Sequence, residues 1–208
     1  MKNLKNRERK EVIGIDEVGR GPLAGPVTVC AVYIKDSSQV KNDLFNGTIR
    51  DSKKISKSIR NKIYLTITKN RYFNTTIKYS IFSKSAKYID KYGIQKATQV
   101  CVDSCLENLH KQGVSITKIK AHLDAGLSLS NKKIEQESFI KGDERFVEIA
   151  LASILAKESR DKYMRGKHKL YPKYFWDKNV GYGTKDHRQS IKKFGITKLH
   201  RISYIKAF

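Results

Sequence analysis

Two short apolar runs near the start of the chain, Glu11–Asp16 (EVIGID) and Val27–Ile34 (VTVCAVYI), are rich in β-branched residues and predict strands. Arg71–Phe82 and Lys118–Asp124 are further strand candidates. Between them the apolar spacing turns helical. Ser56 is placed to cap a helix whose buried face is Ile59, Ile63 and Ile67. A short helix is expected near Ser85–Tyr92. A longer one runs from Ile94 to about Lys111 on the stripe Ile94, Ala97, Cys101, Cys105 and Leu109, and ends at Gly113. Phe146–Tyr171 reads as a helix whose first half, FVEIALASILA, is almost wholly apolar and so fits a buried helix lying on a sheet. Thr184 caps a last helix reaching Phe194. Strands first, then helices, imply an α/β fold with a mixed sheet and a helical appendage beginning near residue 170.

A length of 208 residues with 39% hydrophobic content suits one domain, or one domain with a small C-terminal extension. No stretch approaches the roughly 18–20 apolar residues needed to span a bilayer. The basic start, MKNLKNRERKEV, lacks the apolar segment of a secretory signal, so a soluble, cytoplasmic protein is expected. Cys30, Cys101 and Cys105 are odd in number and lack paired ligand spacing, which fits core residues in a reducing compartment better than a disulfide framework or a zinc site.

Charge changes the picture more than size does. The net charge is +23, and basic residues outnumber acidic ones 15 to 4 between Lys157 and Lys206. Such an excess suits a polyanionic partner, because each cation placed at a phosphate releases condensed counterions. A general lysine bias gives the same number. Charge alone does not choose between a ribosomal protein, a DNA binder and a nuclease.

The candidate chemistry lies in carboxylates at strand ends. Asp16 and Glu17 end the first apolar strand and are followed by Gly19-Arg20-Gly21-Pro22. Neighbouring strand residues point to opposite faces, so both acids reach one site only if the chain bends directly after Asp16. Acids placed there suit magnesium or manganese, which take oxygen ligands. Gly19-x-Gly21 is a weak match to a dinucleotide-binding loop, which would open a helix, whereas here another strand follows. Asp124, at a strand end before Ala125-Gly126, reads equally as a ligand or as a turn former. His122 is expected on the opposite strand face as a core or surface histidine. Asp143 reads either as a ligand or as a helix-entry residue. Asp161 fits a structural pairing residue and is the reserve candidate for a fourth acid. Tyr182, between Gly181 and Gly183, is exposed enough by its neighbours to stack on a sugar or base, or is part of a surface loop.

Together these segments resemble the ribonuclease HII family in order and spacing. The resemblance rests on Gly14–Pro22, Asp51-Ser52-Lys53-Lys54-Ile55-Ser56, Lys141-Gly142-Asp143, Ala152–Lys157 with Arg160-Asp161, Gly181–Thr184 and His200-Arg201-x-Ser203-Tyr204. It implies an RNase H-like fold, with a catalytic domain over 1–170 and a helical extension over 171–208 that contributes to substrate binding. It implies that Asp16, Glu17, Asp124 and Asp143 are catalytic metal ligands for Mn2+ or Mg2+. Gly19, Arg20 and Gly21 would then contact the ribonucleotide 2′-hydroxyl and nearby phosphates, Tyr182 the next sugar, and Lys53 and Lys54 backbone phosphates. The implied activity is two-metal hydrolysis of the RNA strand of RNA/DNA hybrids, or of DNA at embedded ribonucleotides, leaving 5′-phosphate and 3′-hydroxyl ends. A monomer without a membrane partner is expected. Ala125 and Tyr204 depart from the family pattern, which has glycine directly after the third acid and phenylalanine near the end. The alternatives are a ribonuclease HIII-like enzyme and a non-catalytic nucleic-acid binder.

Overall fold

The computed structural model describes residues 11–45, 55–69 and 76–205. Lys53, Lys54 and the start of the Arg71–Phe82 strand candidate lie outside the described residues. Five strands, β1 (Val12–Val18), β2 (Val27–Ile34), β3 (Ile77–Lys84), β4 (Lys120–Asp124) and β5 (Gln136–Phe139), form one sheet in the order β3-β2-β1-β4-β5. β1, β2 and β3 pair antiparallel, whereas β4 runs parallel to β1, and β5 parallel to β4. The sheet is therefore mixed, as the order of elements implies.

Helices cover both faces. They are α1 (Ser37–Phe45), α2 (Lys57–Lys69), α3 (Ala86–Lys111), α4 (Val147–His168), α5 (Trp176–Asn179), α6 (Lys185–Phe194) and α7 (Ile202–Ile205). Strand alternation sorts the core into two layers. Ile13, Ile15, Val29, Ala31, Ala121 and Leu123 pack against Cys101, Val102, Cys105, Leu106 and Leu109 of α3. Val12, Cys30, Val32 and Ile34 pack against Val147, Leu151, Ala152 and Leu155 of α4 and Ile63 and Ile67 of α2.

Several sequence expectations need correction. Ile59 is 53% exposed, so the buried face of α2 rests on Ile63 and Ile67 alone. The two helices expected around residues 85–111 form one element that kinks at Gly93, whose φ of +78° sits in the region glycine tolerates. The helix expected over 146–171 is α4, after which a 3-10 turn at Pro172–Tyr174 follows, since proline lacks the N–H to continue. The α6 cap is as expected, with Thr184 Oγ1 accepting from His187 N. Among the described residues no helix is long and apolar enough to cross a membrane.

Candidate active site

β1 and β4 are parallel neighbours, so their C-terminal ends lie side by side, the usual place for a ligand in such sheets. Gly14 pairs with His122 and Ile15 with Leu123, so the next step of that register brings Asp16 level with Asp124. Both carboxylates thus stand at the sheet end, on the face that α4 covers. The same periodicity corrects the expectation for His122. Residues two apart share a strand face, and His122 lies on the α4 side, its Nδ1 2.6 Å from Oε1 of the buried Glu148. Asp161 pairs with Lys157 at 3.4 Å and is not among the residues lining the cleft described below, in keeping with a structural pairing role.

Gly14 sets how closely α4 approaches. A Cβ there would lie 2.2 Å from the backbone carbon of Glu148 and 2.5 Å from its carbonyl oxygen. Backbone therefore rests directly on backbone. The 3-10 turn at Gly142–Glu144, just before α4, is carried down with the helix and places Asp143 at the sheet end, 3% exposed. Gly142 N donates to Asp124 Oδ1 at 3.1 Å, which joins that turn to β4.

Asp16, Glu17, Asp124 and Asp143 all line one open cleft of about 530 Å³, together with Gly19, Arg20, Gly21, Arg60, Ser153, Lys157 and Tyr182. The bend expected directly after Asp16 is absent, because β1 keeps its ladder with β2 through Val18 and Thr28. Glu17 reaches the cleft for another reason: β4 has already ended at Asp124, so the side chain of Glu17 lies past the edge of its parallel neighbour. Its Oε1 stands 3.5 Å from Arg20 Nη1, while its Oε2 is buried with no hydrogen-bond partner among the described residues.

The electrostatics show the strain of this arrangement. Burial, and then the neighbouring Glu17, raise the Asp16 pKa to about 8, against the opposing hydrogen bond from Ser153. Burial also raises Glu17, although Arg20 pulls it back. No three of the described acidic, histidine or cysteine side chains stand in a ready ligand cluster. Neutral donors hold some of them instead: Ser153 and Glu17 N at Asp16, and Gly142 N at Asp124.

The loop from Gly19 to Pro26 forms one wall. Two buried arginines collect its carbonyls, and one of them also takes that of Val180. Arg160 of α4 donates to Pro26 O, Ala24 O and Val180 O. Arg201 donates to Gly25 O, Arg20 O and Gly19 O. Gly181, at φ +91°, lies against Ala24 O, and its own carbonyl accepts from Leu23 N and Ala24 N. This contact carries the neighbouring Tyr182, 42% exposed, to the cleft beside Arg160. The wall is only partly legible in the sequence, where nothing in His200–Tyr204 by itself points to the Gly19–Pro26 loop. Arg60 was missed as well. It donates to Ile55 O at 2.6 Å and sits 3.4 Å from Glu158, so its guanidinium is held at the cleft by two partners.

The sequence model of the family described as Ribonuclease HII matches residues 13–207. The chain belongs to the ribonuclease HII family. Among its ribonuclease HII relatives, that of Orientia tsutsugamushi (strain Ikeda) is 39% identical over 203 residues, covering 97% of this chain and 90% of the relative. The fold agrees with that of the ribonuclease HII in the PCNA:RNase HII complex from Archaeoglobus fulgidus, with a TM-score of 0.72 at 21% identity over 92% of this chain and 94% of that one. It also resembles Bst-RNase HIII in complex with Mn2+, with a TM-score of 0.67 at 16% identity over 95% of this chain and 68% of that one. The cleft acids, the glycine-arginine-glycine wall and Tyr182 all fall within the segment matched to the ribonuclease HII family.

Proposed function

We propose that this chain is a divalent-metal-dependent endoribonuclease that hydrolyses the RNA strand of RNA/DNA hybrids and cuts DNA at embedded ribonucleotides. The observation that carries the reading is the meeting of Asp16, Glu17, Asp124 and Asp143 in one cleft, walled by Gly19–Gly21 and Tyr182. Four acids in a cleft meant for a polyanion would repel it unless cations intervene. The donor set is all oxygen, as Mn2+ or Mg2+ require. The buried Glu17 Oε2, without a hydrogen-bond partner among the described residues, and the raised Asp16 pKa are both conditions that a divalent cation relieves. Such cations, when bound, activate the attacking water and offset charge on the leaving oxygen.

The chain's own residues supply position and selection. The four carboxylates hold the metal. Arg60 and Lys157, which also line the cleft, meet the backbone phosphates beside the cut. The backbone at Gly19–Gly21 reads the 2′-hydroxyl, the group that separates RNA from DNA. Tyr182 packs on the neighbouring sugar, and the helical segment 171–208 contributes to holding the duplex. A monomer in the cytoplasm suffices for this chemistry.

The test is a gel of a duplex with one embedded ribonucleotide, incubated with and without Mn2+, beside an all-DNA duplex. A cut at the ribonucleotide only, and only with metal, is the expected result. Binding without any cut favours a non-catalytic nucleic-acid binder. Gly21→Leu refines the test. A Cβ at Gly21 meets no atom within 4 Å, so the variant folds with an unchanged melting temperature, while the longer side chain blocks the ribose. Cleavage falls by at least about 100-fold, the scale of losing a transition-state contact. Normal cleavage would remove the sensing role from this loop.

A further inference from the structure

The carbonyls of Gly19 and Arg20 both point at one buried cation. Arg201 is fully buried and donates through Nη2 to Gly19 O, through Nη1 to Arg20 O at 2.7 Å, and through Nε to Gly25 O at 3.0 Å. Arg20 O takes a second hydrogen bond, from the Tyr204 hydroxyl at 3.0 Å. All peptide bonds here are trans, and in a trans peptide the C=O and the following N–H point in opposite directions. Turning these two carbonyls inward therefore turns the N–H groups of Arg20 and Gly21 away from Arg201, and both residues line the cleft. No backbone acceptor among the described residues takes either N–H.

We infer that Arg201 and Tyr204 are positioning residues that aim the Arg20 and Gly21 N–H groups at the substrate's ribose, and that Asp90 anchors this strut. The inference rests on the reading of Gly19–Gly21 as the 2′-hydroxyl sensor. The anchor is equally specific. Asp90 of α3 accepts from Ile202 N and Ser203 N, at 3.0 Å each, and from Ser203 Oγ, so it caps α7 from a distant element. Two main-chain bonds, Gly25 N to Leu199 O and Arg201 N to Leu23 O, at 2.8 Å each, lace the same segment to the loop. Tyr204 adds a hydroxyl that occupies the second lone pair of Arg20 O. With both lone pairs engaged, the Arg20–Gly21 peptide plane has little freedom to rotate.

Tyr204→Phe removes that hydroxyl alone and leaves the ring over Arg201. We expect a melting temperature lowered by only a few degrees, the cost of one part-buried hydrogen bond, and an unchanged KM for the duplex, because phosphate contacts dominate affinity. The kcat at a single embedded ribonucleotide drops about 3- to 10-fold, the worth of one hydrogen bond. Arg201→Lys keeps the charge but loses the fork, and kcat drops about 100-fold with KM again little changed. Asp90→Ala lowers kcat in the same sense, and Asp90→Asn, which keeps a side-chain carbonyl to accept, restores much of it. If Tyr204→Phe and a folded Arg201→Lys both keep the wild-type kcat, the strut is wrong while the nuclease reading stands. If kcat in every variant merely tracks the fraction folded, the role is structural and the inference also fails. Failure of the wild-type protein to cut any ribonucleotide-containing duplex would remove the nuclease reading and the strut together.

Discussion

Asp16→Asn loses metal-dependent cleavage and, with chelator present, melts at a higher temperature than the wild type. Both results come from one cause. Asp16 is 7% exposed, and burial together with Glu17 and Asp124 makes its ionised form unfavourable. Its pKa is raised from 3.8 to about 8. The folded state therefore binds a proton that the unfolded state has released between these values. A group shifted this way stabilises the fold below about pH 4 and loses that contribution as pH rises towards 8. In chelator, the wild-type melting temperature should fall between pH 5 and pH 8, and Asp16→Asn should flatten that slope, because an amide does not titrate. Adding Mn2+ should raise the wild-type melting temperature at pH 8 by mass action and leave the variant almost unmoved. Cleavage should fall by at least about 100- to 1,000-fold. Thermal melts across pH, with and without Mn2+, give the check. A variant that gains as much from Mn2+ as the wild type would take Asp16 out of the ligand set.

Gly14→Ala should be severely damaging for the addition of a single methyl group. The added carbon would lie 2.2 Å from one backbone atom of Glu148, 2.5 Å from another and 2.6 Å from Ile149 N. Flexible side chains yield to such intrusion, but main-chain atoms in the first turn of a buried helix do not. α4 would have to lift from β1, pulling apart the layer that Val147, Leu151 and Leu155 fill. Overpacking typically costs about 1–3 kcal/mol, and a backbone-to-backbone clash belongs at or above the upper end. Denaturant titration should show a midpoint lowered accordingly, or the protein should accumulate insoluble. Any soluble fraction should also lose cleavage, since lifting α4 takes the Asp143 turn with it. A loss of less than about 1 kcal/mol would mean that α4 is not fixed by this contact.

The parts of the molecule that could be read from the sequence are those with strong periodicity or an unusual local composition. β1, β2 and the apolar half of α4 announce themselves because they are buried on most sides, and Thr184 announces α6 because its cap is local. α1 and β5 were missed for the opposite reason. α1 buries only Val40, and the four residues of β5 are all at least partly exposed, so neither has an apolar pattern to find. In the site, Asp16 and Glu17 stood out from the glycine-rich turn that follows them. Asp124 and Asp143 were ambiguous on their own, because a lone aspartate before glycine or before a helix has ordinary structural uses. Only the parallel register of β1 and β4 and the close approach at Gly14 bring them together. Arg201 was illegible because its acceptors are backbone carbonyls some 180 residues away, and carbonyls leave no mark in a sequence.

That last separation has a bearing on how the protein comes into being. The wall against which the ribose would rest is finished only when Arg201 joins Gly19 and Arg20, which are made some 180 residues earlier. At about 5–20 residues per second, a ribosome needs roughly 10–40 s to supply the missing guanidinium. Asp143, the last of the four cleft acids, precedes Arg201 in the sequence, so late in that interval the growing polypeptide holds all four acids while the Gly19–Gly21 wall still lacks its buried guanidinium. A chain assembled in this order gains its acidic cleft before the wall that would select the ribose.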